Sequence, residues 1–170
     1  ELGGCWVDKA FSWTKLQTHK KYYKFPDLDI ESKTEYPNKA ELINYFDTYV
    51  KKHNLLEYVR FNSKVKIINK NKYCWNIKFI LNNETLEMNS RYIAVCSGLF
   101  TEPYIPKIES LKHFTGLTYH SSDLIKKNMD KLKNKTILII GNGASCSDLI
   151  NGLIDQTKHI TILYRTPRWY

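Results

Sequence analysis

Thr136-Ile-Leu-Ile-Ile140-Gly141-Asn-Gly143-Ala-Ser-Cys-Ser-Asp148 leads into Leu149-Ile-Asn-Gly-Leu-Ile154 and then, past a polar break, into His159-Ile-Thr-Ile-Leu-Tyr164-Arg165. A short apolar run bounded by glycine reads as a strand, the polar-apolar stretch from Ala144 to Ile154 as a helix, and the second short apolar run as another strand. Strand, glycine turn, helix and strand in this order predict a β-α-β unit with neighbouring parallel strands, the first of them buried, in a protein of the α/β class. In such a unit Gly141 permits the tight turn, and Gly143 lets backbone approach a pyrophosphate. The amino end of the helix then offers N–H donors and a positive dipole end to that anion. Cys146 stands where a third glycine would complete the pattern; it is small enough for close helix packing. At the end of the second strand an acidic side chain would accept from the ribose hydroxyls of NAD. Here Arg165 occupies that place, about twenty positions past the second glycine, with Thr166 next and Arg168 close by. A cation and a hydroxyl donor suit a 2′-phosphate, so the predicted nucleotide is NADP(H).

Working outward, residues 56–98 read as a mostly antiparallel β layer. Tyr58–Phe61, Lys64–Ile68, Tyr73–Ile80 and Glu84–Met88 are candidate strands parted by the Asn-rich turns Asn69–Asn71 and Asn82-Asn83. Arg91–Cys96 reads as a more apolar strand stopping at Ser97-Gly98. Ahead of this layer, Ala40, Leu42, Ile43, Phe46, Tyr49 and Val50 recur at three and four, which predicts an amphipathic helix over 38–54 behind Pro37. Residues 1–30 have aromatics but no sustained period and read as an ordered loop region. The stretch 99–113, with Pro103 and Pro106, is the expected seam, dividing the chain into parts 1–106 and 107–170.

Composition narrows the function classes. Of 170 residues 42% are hydrophobic and 25% charged, as in soluble globular proteins, and no apolar run approaches a membrane span. The net charge of +9 comes from scattered lysines; arginine, the usual reader of phosphates and bases, occurs only at Arg60, Arg91, Arg165 and Arg168. With no recognition motif present, nucleic acid is not the expected partner. Cys5, Cys74, Cys96 and Cys146 lie far apart without a CxxC pair, so they read as reduced, buried thiols and no metal site is expected. The start, Glu1-Leu-Gly-Gly-Cys-Trp6, has neither the basic start nor the apolar stretch of a signal peptide. The chain reads as an internal fragment.

Phe114, Gly116 and His120 alone would read as a buried aromatic, a turn glycine and a packed histidine. Their place just upstream of the glycine turn changes that weighting. The pattern FxGxxxH they form, GxGxSxxD at Gly141, Gly143, Ser145 and Asp148, and Gly3-Gly4-Cys5-Trp6 occur in order along the chain. So do Leu16-Gln17-Thr18, Tyr23-Lys-Phe-Pro-Asp27, Val95-Cys-Ser-Gly98 and Tyr164-Arg-Thr-Pro-Arg-Trp169. In these motifs the chain resembles the flavin-containing monooxygenase family, its plant-type branch especially. The resemblance implies a Rossmann-type flavoprotein with two dinucleotide sites, for FAD and NADPH, and an antiparallel β layer in the FAD part.

It further implies that NADPH reduces the flavin, which carries oxygen as a hydroperoxide and passes one atom of O2 to a small soft nucleophile, an amine or sulfide. The flavin-side residues it points to are Gly3, Gly4, Trp6, Gln17, Thr18, Ser97 and Gly98, with Val65 toward the adenine. On the NADPH side they are Gly141, Gly143, Ser145, Arg165 and Thr166, while His120 and Ser121 shape the seam. No catalytic side chain is assigned. The family's first GxGxxG is absent from the chain, so the fragment alone is expected to be inactive. His19 stands where many members have Asn, and Leu124 replaces an aromatic. The rival readings are a Baeyer–Villiger monooxygenase, which would carry Trp at Leu124, and a non-catalytic dinucleotide- or polycation-binding module. Cytoplasmic location is implied, with endoplasmic-reticulum association as the alternative for the full-length protein.

Overall fold

The computed structural model describes residues 2–99, 102–125 and 129–167. The chain forms two compact units, one of residues 50–101 and one that joins 2–49 to 102–170.

In the first unit β1 (Lys64–Lys70), β2 (Trp75–Leu81) and β3 (Glu84–Ser90) form an antiparallel sheet in the order β1-β2-β3. Asparagine makes both turns. Asn82 and Asn83 sit at φ 51° and 66° between the paired Leu81 and Glu84. That is a two-residue hairpin geometry that Asn enters at little cost. In the other turn the Asn71 side-chain oxygen accepts from the N–H groups of Tyr73 (2.9 Å) and Cys74 (2.8 Å). Across the ladder Lys78 opposes Glu87 with 2.7 Å between the charged groups, and that hydrogen bond holds the Glu87 carboxyl below its usual range.

Two expected strands are not strands. Tyr58–Phe61 is replaced by a 3₁₀ turn at Leu55–Tyr58, which the left-handed Asn54 (φ 51°) starts, and Asn62 turns the chain again at φ 56°. Arg91–Cys96 is an apolar run with no ladder pairing among the described residues. The β2–β3 ladder ends at Trp75 opposite Ser90, so the chain beyond has no neighbouring backbone to bond. Cys5 and Cys96 are exposed and Cys74 is half-buried, so the expectation of buried thiols holds only for Cys146.

In the second unit α1 (Cys5–Asp8) and α2 (Lys20–Tyr23) are single turns, and α3 (Lys39–Lys52) is the long helix, one to two residues shorter at each end than predicted. Its start carries a reciprocal cap. Asn38 Oδ1 accepts from Glu41 N–H (3.0 Å) and Glu41 Oε2 from Asn38 N–H (2.8 Å). Leu42 and Tyr45 bury fully against Leu16 and Ile30, with Trp6, Leu28 and Phe46 around them. Tyr45 joined the apolar face unpredicted because its hydroxyl finds the Leu28 carbonyl (3.2 Å).

A second core gathers Phe11, Leu124, Leu132, Ile139, Cys146, Leu149 and Leu153. It is built on β4 (Thr136–Ile140), α4 (Ala144–Leu153) and β5 (His159–Leu163), whose strands are parallel neighbours as predicted. β4 is not the wholly buried strand expected. Alternate residues face opposite ways, and α4 covers one face, so Ile139 is buried while Leu138 and Ile140 are 56% and 59% exposed. Among the described residues no helix is long and apolar enough to cross a membrane.

Leu42 has no exposed surface. Leu42→Ala is expected to lower unfolding stability by about 2–5 kcal/mol, and urea titration of the purified protein checks it. Ala40→Ser, on the exposed side of the same helix, should change stability by no more than about 0.5 kcal/mol.

Candidate functional site

The parallel register brings the glycine turn and Arg165 to one edge of the sheet. Ile140 pairs with Leu163, and Gly141 N–H donates to the Leu163 carbonyl at 2.9 Å, so both strands end together. Gly141 has φ +120°, a conformation that side-chain-bearing residues rarely adopt. Gly143 is extended (φ −103°, ψ −176°), which any residue accepts, and a Cβ there would meet nothing within 4 Å. Its glycine therefore leaves open space on the turn.

Within α4 the first turn bonds through Cys146 N–H (2.9 Å) and Ser147 N–H (3.3 Å) to the Gly143 carbonyl. The N–H groups ahead of them, at Ala144 and Ser145, lie outside the helical ladder. That turn contains no acidic residue, and Gly143 makes no side-chain cap. An anion at this end meets donors and the positive dipole end without a competing carboxylate. Arg165 and Thr166 are exposed just beyond β5. Arg168 lies outside the described residues. Backbone donors, vacant space above Gly143 and a cation at the same edge fit a phosphorylated dinucleotide.

Asp148 does not face that end. Its Oδ2 accepts from the Thr14 hydroxyl (3.1 Å), whose oxygen in turn accepts from Phe11 N–H (3.1 Å). The Asp148 main-chain carbonyl accepts from the Trp13 indole N–H at 2.7 Å. The same indole lies on Gly152, where a Cβ would come within 2.0 Å of the ring. Phe11 stacks on Trp13 with centroids 4.8 Å apart and planes 8° off parallel. These contacts were missed because residues 1–30 lack any period. The available signals were Gly152 in mid-helix, which costs helix stability without a packing reason, and the clustered Phe11, Trp13 and Thr14.

On the flavin-side segment, Gly3 and Gly4 have φ +103° and +50°, and their carbonyls accept from the α1 backbone, Trp6 N–H to Gly3 and Val7 N–H to Gly4 at 3.0 Å each. A Cβ on Gly4 would meet nothing within 4 Å. Trp6 packs on the α3 core and donates to the Tyr23 hydroxyl at 3.1 Å. Lys39 Nζ donates to the Val7 and Ala10 carbonyls at 2.9 Å each and so anchors the chain leaving α1. Gln17 and Thr18 are exposed beside the buried Leu16. The exposed Gln17 and Thr18 and the open backbone at Gly4 are features that suit a ligand approached from main chain. His19 caps α2, its Nδ1 accepting from Lys21 N–H at 3.2 Å. In the other unit Val65 is 52% exposed on β1, and Ser97 and the positive-φ Gly98 are exposed.

Upstream of the glycine turn the Phe114 ring lies over Gly116, where a Cβ would meet it at 2.4 Å. His120 caps the following 3₁₀ turn: its N–H donates to Asp123 Oδ2 (3.0 Å), and its Nδ1 lies 2.8 Å from Ser122 Oγ. Ser121 is half-buried. Leu124, in the family pattern's aromatic position, is buried in the α4 core.

Residues 12–170 match the model of the flavin-binding monooxygenase-like family. The FAD-binding monooxygenase ktnD of Aspergillus niger is 28% identical over 99% of this chain and 29% of its own length. A flavin-containing monooxygenase from Stenotrophomonas maltophilia aligns with TM-score 0.80 and 20% identity over 97% of this chain and 48% of that one. A cyclohexanone monooxygenase mutant from Rhodococcus sp. Phi1, solved with NADP+ bound, aligns with TM-score 0.75 and 22% identity over 98% and 32%. The chain thus has the α/β fold of these flavoproteins over less than half of their length.

Burial pushes the Asp148 carboxyl above its usual range, against the opposing pull of the Thr14 hydroxyl. Its charged form is therefore the less stable in the fold. Stability tied to this group is complete below the ordinary carboxylate range and is lost as pH rises through the raised pKa. Asp148→Asn keeps an acceptor for Thr14 and removes the charge. Its melting temperature relative to wild type is expected to rise as pH increases above the ordinary Asp range near about pH 4, and a pH-independent difference would contradict the assignment.

Proposed function

The chain belongs to the flavin-binding monooxygenase-like family, and on that premise we propose that it is an internal part of an FAD- and NADPH-dependent monooxygenase. Residues 1–106 complete the FAD region, and 107–170 begin the NADPH domain. The observation that carries this reading is the β4-α4-β5 unit, with an open glycine turn and Arg165 at one edge of its sheet. FAD, once reduced by NADPH, supplies the oxygen chemistry. The protein's own residues hold, orient and shield. Gly3, Gly4, Trp6, Gln17 and Thr18, with Val65, Ser97 and Gly98, serve the flavin.

Gly141, Gly143 and Ser145 present main chain to the pyrophosphate, while Arg165 and Thr166 hold the 2′-phosphate. His120 and Ser121 fix the turn that precedes β4. The substrate class is a small soft nucleophile, an amine or a sulfide. Leu124 supports this over ketone oxygenation, because that position is closely packed core here and an indole would need more volume. The segments at Leu16–Thr18 and Tyr164–Pro167 support the plant-type branch.

In the full-length enzyme, visible flavin absorbance that bleaches on adding NADPH without oxygen is the direct test; a colourless protein indifferent to NADPH would refute the reading. A charge-assisted contact from Arg165 is worth about 1.5–3 kcal/mol, roughly ten- to hundredfold in affinity. Arg165→Ala is expected to lose most of the preference for NADPH over NADH, and Arg165→Asp to invert it. The double change with Arg168 should lose more than either single one. Stopped-flow flavin reduction with each nucleotide measures this, and unchanged NADPH dependence in the double variant would remove the 2′-phosphate role.

A further inference from the structure

Phe11 belongs to the core under α4, and Leu16, five residues on, belongs to the core under α3. The segment between them is bonded on both sides. Toward α4, the Trp13 indole donates to the Asp148 carbonyl (2.7 Å) and lies on Gly152, while the Thr14 hydroxyl donates to the Asp148 carboxylate (3.1 Å). Toward α3, the Thr14 carbonyl accepts from Lys39 N–H (3.0 Å) and Leu16 N–H donates to the Pro37 carbonyl (2.8 Å). The clasp therefore engages α4 through residues one helical turn apart, from the middle of the helix to its last turn, on the same rigid helix that carries the glycine turn at its start. On the other side Gln17 and Thr18 follow it directly along the chain.

We propose that Trp13, Thr14 and Asp148 are positioning residues for flavin reduction. The clasp sets α4, and with it the glycine turn assigned to NADPH, in register with the flavin-side Gln17-Thr18 segment, so that these residues would hold the two cofactors at a fixed relative position for reduction. The inference rests on the cofactor assignment proposed above. Its physical basis is that hydride transfer falls steeply with misplacement of the reacting atoms, whereas binding of each cofactor depends on its own contacts. A displacement of about 1 Å costs on the order of a hundredfold in rate. Loosening the clasp by one hydrogen bond should thus slow reduction and leave both affinities nearly intact.

The test uses the full-length flavin-loaded enzyme. Thr14→Val keeps the volume and removes the hydroxyl that bridges Phe11 and Asp148. Trp13→Phe keeps a ring on Gly152 and removes the indole donor. Anaerobic stopped-flow separates the limiting reduction rate from the dissociation constant for NADPH, and flavin absorbance gives occupancy.

The expected result is a limiting rate about ten- to hundredfold lower in each variant, with NADPH affinity and flavin content within about twofold. Thr14→Ser should restore the rate. Ala40→Ser, on the exposed side of α3 and outside the clasp, should keep the wild-type rate. Reduction at the wild-type rate in both Thr14→Val and Trp13→Phe would overturn the proposal. So would failure of both to hold flavin while Thr14→Ser holds it, since the clasp would then serve the fold and not alignment. A wild-type enzyme that holds no flavin would instead refute the cofactor assignment itself.

Discussion

The second unit depends on the seating of the Trp13 ring against Gly152. A two-stranded parallel sheet with one helix leaves that helix covered on one side only. Cys146, Leu149 and Leu153 turn α4 toward β4, and the flank at Asp148 and Gly152 needs another partner. Phe11 and Trp13 supply it as a stacked pair. An aromatic ring covers roughly 150–250 Å2 of surface, far more than any other side chain in this segment. Because the pair is followed by Leu16 in the neighbouring core, the same few residues tie α3 and α4 into one body.

The first turn of α4 carries no acidic side chain. The only carboxylate in the helix, Asp148, is turned to a hydroxyl and partly buried, and burial disfavours its ionised form. Burial also raises the Cys146 thiol, which disfavours a thiolate near the turn. The positive dipole end and Arg165 thus act on the same edge of the sheet without an opposing charge from the helix itself.

Where periodicity was strong, the sequence was sufficient. The β4-α4-β5 order, the α3 helix and the Asn82-Asn83 hairpin were legible because each rests on local spacing or turn chemistry. The failures have a common cause. Arg91–Cys96 has strand composition, but a strand needs a neighbouring backbone, and composition does not say whether one is present. Tyr58–Phe61 lost to the left-handed Asn54 and Asn62, a local preference that outweighs three apolar side chains. At the site, Gly141 and Gly143 were readable from their motif, whereas Trp13 and Thr14 were not. Their contacts span more than a hundred residues of chain and leave no local pattern.

The glycines of this region obey separate constraints although one motif contains most of them. Gly141 is required by its backbone angle and Gly152 by the indole lying on it, whereas Gly143 is extended and leaves open space on the turn. That separation accounts for Cys146 in the place of a third glycine. The third position faces the interior between helix and sheet, where what matters is side-chain size and not backbone freedom. Cys146 is 5% exposed there, packed among Ile139, Leu149 and Leu153. A thiol is small enough to keep the helix close to β4 and apolar enough to add to the core. The incomplete motif is thus a complete packing solution: the third position needs a small apolar side chain, and Cys146 provides one.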